Sequence, residues 1–224
     1  MALTDKLKAI ADSIRSKTGS TESMTLDQMA SEISEIQGGS VTGPYIEEIY
    51  DESGNLINAK LYGYDKIRDY AFSSCSSLAL ISLPSGITSI GRDAFSHCKK
   101  LALTSLPSGM TSISAYAFYN CSNLALTSLP SGITSVGTSA FNNCSNLALT
   151  SLPSGITSIG KNAFSGCFNL TSLTFEGTPT TIKNNSFSNC FNLTTINVPW
   201  AEGAVSGAPW GATKATINYN YTGE

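Results

Sequence analysis

Apolar and polar positions in this chain recur every 23 residues, a far longer period than any single helix or strand produces. Phenylalanine stands at Phe72, Phe95, Phe118, Phe141, Phe164 and Phe187. Cysteine follows three places later, at Cys75, Cys98, Cys121, Cys144, Cys167 and Cys190, and leucine three later again, at Leu78, Leu101, Leu124, Leu147, Leu170 and Leu193. Three ladders in one register mark a chain of stacked units, none of which can bury its apolar face alone.

With the phenylalanine as column 0, the unit reads F-x-x-C-x-x-L-x-x-x-x-L-P-S-G-I-T-S-I-x-x-x-A. The run ending at Leu83, Leu106, Leu129 and Leu152 stops at a proline, and Phe175 and Val198 hold the same column in the last two units. It predicts a short strand closed by Pro-Ser-Gly turn chemistry. The Ile-Thr-Ser-Ile stretch, Ile87 to Ile90 and its equivalents, predicts a second strand. Ala-Phe-x-x-Cys is expected to form one helical or 3₁₀ turn. Coils stacked through parallel strands should repeat about every 4.8 Å.

The pattern AFxxCxxL followed by LPSGITSIG, spread over residues 61–199, closely resembles the BspA-type leucine-rich repeats of bacterial surface and phage-associated proteins. The resemblance implies an α/β repeat solenoid, a right-handed leucine-rich-repeat coil with short parallel strands. One column departs from it. Members of the family usually carry an apolar residue at column 9, which here reads Ile81, Thr104, Thr127, Thr150, Leu173 and Ile196. Leucine sits one place earlier, at Leu80, Leu103, Leu126 and Leu149. Strand side chains alternate faces, so these leucines either form an exposed apolar stripe, a contact surface, or are buried by a local bulge.

The ends depart from the repeat. Leu3, Leu7, Ile10 and Ile14 make one apolar stripe on a helix over residues 2–18, ended by Gly19. Thr25 and Gln28 form a capping box for a second helix, with Met24 and Met29 as its staple and Met29, Ile33 and Ile36 as its stripe. This helical hairpin either docks as a cap or self-associates, a trimer being favoured by the 3.5-residue spacing. The chain then divides into a helical attachment or oligomerisation segment (1–37), a linker (38–44), a β-hairpin cap (45–64), the solenoid (65–199) and a C-terminal cap (200–224). The hairpin strands are expected at Tyr45–Tyr50 and Leu56–Tyr62; a closing strand is expected within 216–221, with Trp200 and Trp210 shielding the last coil. The string ADSIRSKTGSTESMTLDQMASEI resembles the N-terminal segment of tail and minor structural proteins from phages and prophages of Gram-positive bacteria. PWGATKATINYNY resembles the ends of phage-associated repeat proteins. The N-terminal resemblance implies an attachment module with the repeats displayed outward.

Composition narrows the function further. Charged residues make up 13%, the net charge is −3 and the pI is near 5.2, which gives no footprint for nucleic acid. No apolar run approaches the roughly 20 residues that span a bilayer, and the N-terminus lacks the apolar core of a signal peptide. The expected location is therefore a virion if the gene is a phage's, and otherwise a bacterial surface. The cysteines show no C-x-x-C pair and no partnering histidine ladder, so they read as buried free thiols, not as disulfides or a metal site. His97, the single histidine, falls in a column of small and polar residues and reads as an exposed loop residue. No local break of the repeat offers a triad, a carboxylate dyad or a phosphate loop. A non-enzymatic protein without cofactors is expected. Columns 1–2 and 19–21 vary most between units, which makes Arg92, His97, Tyr116, Tyr119 and Lys161 the candidate contacts of a binding ridge for a protein or surface glycan.

Overall fold

The computed structural model describes residues 45–223. The two expected N-terminal helices, with Leu3, Leu7, Ile10, Ile14, Met29, Ile33 and Ile36, and the linker lie outside those residues.

Strands β1 (Tyr45–Tyr50) and β2 (Leu56–Tyr62) form the antiparallel hairpin at the expected bounds. The turn is tied by the Asp51 carboxylate, which accepts from the backbone N–H of Ser53 at 3.0 Å and of Asn55 at 2.8 Å. These bonds hold the Asp51 pKa below its ordinary value, the Asn55 side chain contributing most. The coils follow with short strands, in chain order β3 (Lys66–Ile67), β4 (Ser89–Ile90), β5 (Ser112–Ile113), β6 (Ser135–Val136) and β7 (Ser151–Leu152). The later ones are β8 (Ser158–Ile159), β9 (Ser172–Phe175), β10 (Thr181–Ile182), β11 (Thr195–Asn197) and β12 (Thr216–Asn218).

Two parallel ladders run along the solenoid. The Ile-Thr-Ser-Ile stretches give one, as β3–β4 and as β5–β6–β8–β10. Columns 8–11 give the other only from the fourth coil on, as β7–β9–β11 with the closing strand β12 added at the end; the strands expected to end at Leu83, Leu106 and Leu129 do not form.

The third side corrects the α/β expectation, because no helix occurs among the described residues. Along Ala-Phe-x-x-Cys, alternate N–H groups bond three residues back and across to the next coil. Ser73 N–H donates to Tyr70 O at 3.1 Å, for instance, whereas Phe72 N–H donates to Ala94 O at 2.8 Å. The backbone reason is a left-handed residue twice per coil. Column 21 (Tyr70, Asp93, Tyr116, Ser139, Asn162, Asn185) and column 2 (Ser74, His97, Asn120, Asn143, Gly166, Asn189) all have φ between 53° and 75°. Each interrupts the right-handed winding that a helix needs. Turns cross-linked between coils replace it.

The core is the predicted one. Successive ladder phenylalanines lie 5.3–5.7 Å apart between ring centres and within 11° of parallel. The thiols of Cys98, Cys121, Cys144, Cys167 and Cys190 donate to the carbonyls of Phe72, Phe95, Phe118, Phe141 and Phe164 at 2.9–3.1 Å. All six cysteines are free; five are buried and Cys75 is half-buried.

The exposed leucine stripe is overturned. Leu80, Leu103, Leu126 and Leu149 are at most 5% exposed, while Ile81 in the next column is 69% exposed and Thr104, Thr127 and Thr150 also face solvent. Apolar columns 6, 8 and 11 point inward in the first four coils; the odd step between 8 and 11 is incompatible with an unbroken strand, and none forms there in the first three coils. In the last two coils the inward set is 6, 9 and 11, with Leu173 and Ile196 buried. The inward column thus changes from 8 to 9 between the fourth and fifth coils, while pairing keeps its 23-residue register, Ser151 with Thr174 and Leu152 with Phe175. At the end, β12 pairs with β11, and Trp200 and Trp210 pack around Phe175 with ring centres 5.2 and 6.2 Å away.

Candidate functional site

The turn side carries the candidate ridge, and its left-handed residues decide what stands there. Asn, Asp, His and Gly adopt this conformation more readily than most residues, which accounts without any ligand for five of the six column-2 positions, Ser74 being the other. His97 is exposed there, as its column suggested. Tyr70 and Tyr116, at φ 60° and 58°, take the same conformation in column 21, where the turn imposes it in every coil.

Four of the five ridge residues come together on two adjacent turns. The Arg92 guanidinium lies 5.1 Å from the centre of the Tyr116 ring. Tyr116 meets Tyr119 edge-on at 5.8 Å, and Tyr119 meets His97 edge-on at 5.2 Å. His97 Nδ1 lies 3.0 Å from the Asn120 side-chain amide; with Nδ1 accepting that bond, Nε2 carries the proton and can donate outward. Arg92 also pairs with Asp93 at 3.2 Å, and its interaction with the Tyr70 hydroxyl raises its pKa. The result is a half-buried aromatic patch edged by one cation and one imidazole. Lys161 stands apart. It is exposed in the same column as Arg92, three coils along, or roughly 14 Å at 4.8 Å per coil.

Three surface features escaped the sequence reading. Phe168 and Phe191 stack in parallel at 5.9 Å, are 42% and 53% exposed, and have Lys214 Nζ 5.7 Å over the Phe191 ring. Their signal was available, for they interrupt a column otherwise read as Ser76, Lys99, Ser122 and Ser145. A groove of about 330 Å³ lies between β2 and residues Leu80 to Pro84. A second groove, of about 680 Å³, opens at the C-terminal end beside Glu176. Here the expectation of an unbroken repeat fails, since Glu176 replaces the proline of the other coils.

The thiols are poor nucleophiles and poor ligands as they stand. Burial pushes Cys98 up to about 12 and Cys190 up to about 11, and raises Cys121, Cys144 and Cys167 well above the ordinary thiol value. Among the described residues, no three His, Cys, Asp or Glu side chains are grouped to hold a metal ion.

Comparison with known proteins agrees with this architecture. The BspA type leucine rich repeat region matches residues 65–194 as six copies. A leucine-rich-repeat protein from Treponema pallidum (T. pallidum) superposes with a TM-score of 0.53 at 26% identity, over 69% of this chain and 82% of that one. One from Bacteroides ovatus also gives 0.53, at 22% identity, over 70% of this chain; the aligned part spans 46% of that longer protein. No curated protein matches. Six contiguous repeat copies covering more than half of the sequence place this chain in the BspA-type leucine-rich-repeat family.

Proposed function

We propose that this chain is a non-enzymatic recognition protein that meets its partner through the turn side of the coils. The observation that carries this reading is the continuous cluster Arg92–Tyr116–Tyr119–His97 on two adjacent turns. Tyrosine and arginine are also the side chains that dominate contact energies at interfaces. Lys161 marks the outer limit of the surface. The partner is a protein or a surface glycan.

The display context we propose is a phage or prophage tail, with residues 1–37 as the attachment segment and a homotrimer as the favoured assembly. This rests on the resemblance carried by residues 11–33. An adhesin-like protein on a bacterial surface would use the same cluster. Tail, holin and lysin genes beside this one support the first context, and their absence sinks it.

The binding test uses the labelled full chain against a panel of intact Gram-positive cells. Saturable binding to at least one, weakened at least about tenfold in the Tyr116→Ala/Tyr119→Ala variant, is expected, the loss of about 1.4 kcal/mol being typical of one interface anchor. Undiminished binding by that variant removes the ridge reading.

A further inference from the structure

The repeat breaks once within the coils, and a groove opens at the break. Columns 11–18 read Leu-Pro-Ser-Gly-Ile-Thr-Ser-Ile, or nearly so, in the first four coils. In the fifth they read Phe175-Glu176-Gly177-Thr178-Pro179-Thr180-Thr181-Ile182. The substitution is accommodated by close packing: a Cβ on Gly177 would collide with the Ser154 carbonyl. Glu176 is exposed, and its Oε1 accepts the Ser151 hydroxyl proton at 2.7 Å. No cation pairs with it among the described residues.

Thr174, Phe175, Glu176, Pro199, Asn220 and Tyr221 line the groove, whose 680 Å³ lies within the range of small-ligand sites. Its hydrogen-bonding groups are pre-set. Thr174 Oγ1 accepts from Asn197 Nδ2 at 3.1 Å, and Asn197 Oδ1 accepts from Asn218 Nδ2 at 2.8 Å. That chain of bonds leaves the Thr174 O–H to donate elsewhere. The far wall is fixed by backbone bonds, Asn220 N–H to Trp200 O at 3.0 Å and Tyr221 N–H to Val198 O at 2.9 Å.

We propose that this groove binds an uncharged saccharide. A carboxylate only accepts, so its complement is a donor, and the hydroxyls and amides beside it suit a ring bearing several hydroxyls. Sugar hydroxyls donate to Glu176 and accept from Thr174, while Pro199 and Tyr221 meet the apolar face of the ring. This site is distinct from the Arg92–Tyr119 cluster and does not depend on it.

Saturation-transfer NMR of the full chain tests it, with methyl glucoside, methyl galactoside and methyl mannoside as probes. Transfer to at least one is expected, with affinity reduced about tenfold or more in Glu176→Gln, the usual cost of losing a charge-assisted bond. A similar loss is expected in Tyr221→Ala, and none in the Tyr116→Ala/Tyr119→Ala variant. Thermal melting checks that each variant is folded; should Glu176→Gln fail that check, Tyr221→Ala carries the test. Absence of transfer from all three probes overturns the proposal, as does undiminished transfer in the folded variants. Tighter binding of a trilysine peptide than of any glycoside also overturns it, by making Glu176 a cation site.

Discussion

Each core cysteine does two things at once, filling the space beside a stacked phenylalanine and donating its thiol proton to a phenylalanine carbonyl of the preceding coil. Ionisation would remove that donor and leave a charge in an apolar interior, which is why burial raises the pKa of all five inner thiols. An unfolded thiol titrates near about 8.5. Above that value the native state retains protons that the unfolded chain releases. The stabilisation is therefore complete below about pH 8.5 and is lost as the pH climbs through the native values. Each thiol contributes a slope of about 1.4 kcal/mol per pH unit in that window, so five together make it steep. The urea midpoint is expected to stay level up to about pH 8 and to fall sharply by about pH 10. A midpoint indifferent to pH over that range would show that the thiols are not buried as described. The thiol ladder was legible from its 23-residue spacing alone. The left-handed residues at columns 2 and 21 were not, because a column of Asn, His, Gly and Ser reads equally well as a tolerant surface.

At the level of the element, the instructive case is the strand whose inward column changes between coils. In Leu124-Ala125-Leu126-Thr127-Ser128-Leu129 the leucines are spaced two and then three apart, and no unbroken strand can turn all three the same way. The coil keeps all three inside by forming no regular strand there, and regular pairing on that side begins only at β7. Leu126, with 0% exposure, should therefore lose about 2–5 kcal/mol on Leu126→Ala, whereas Thr127→Ala should change stability by no more than about 0.5 kcal/mol. Denaturant titration of the two variants decides it, and a larger loss at Thr127 would reinstate an outward leucine. The sequence posed this choice without resolving it, since both outcomes satisfy local alternation. The hairpin was fully legible, because Tyr45–Tyr50 and Leu56–Tyr62 flank a single turn and need no neighbouring coil to define them.

For the solenoid as a whole, each coil contacts chiefly its neighbours, so stability should be distributed along the axis. Trp210 is 1% exposed at the last coil, and its indole N–H donates to Ser206 O at 2.8 Å. Trp210→Ala should cost about 3–5 kcal/mol and act locally. Hydrogen exchange is expected to accelerate at Thr216–Asn218 and Thr195–Asn197 while Ser112–Ile113 is unaffected; uniform acceleration along the chain would contradict a neighbour-limited solenoid. The sequence by itself determined the 23-residue coil, its Phe, Cys and Leu core, the Ile-Thr-Ser-Ile strand and the hairpin strands, because units that cannot bury an apolar face alone must stack on one another. It also nominated Arg92, His97, Tyr116 and Tyr119 and put Lys161 three coils from Arg92, yet gave no sign that the first four touch. Only the tertiary structure decided that contact, the inward turn of Leu80, Leu103, Leu126 and Leu149, and the groove at Glu176. These depend on where successive coils fall against one another, and a distance across coils is not written in the pattern of any one of them.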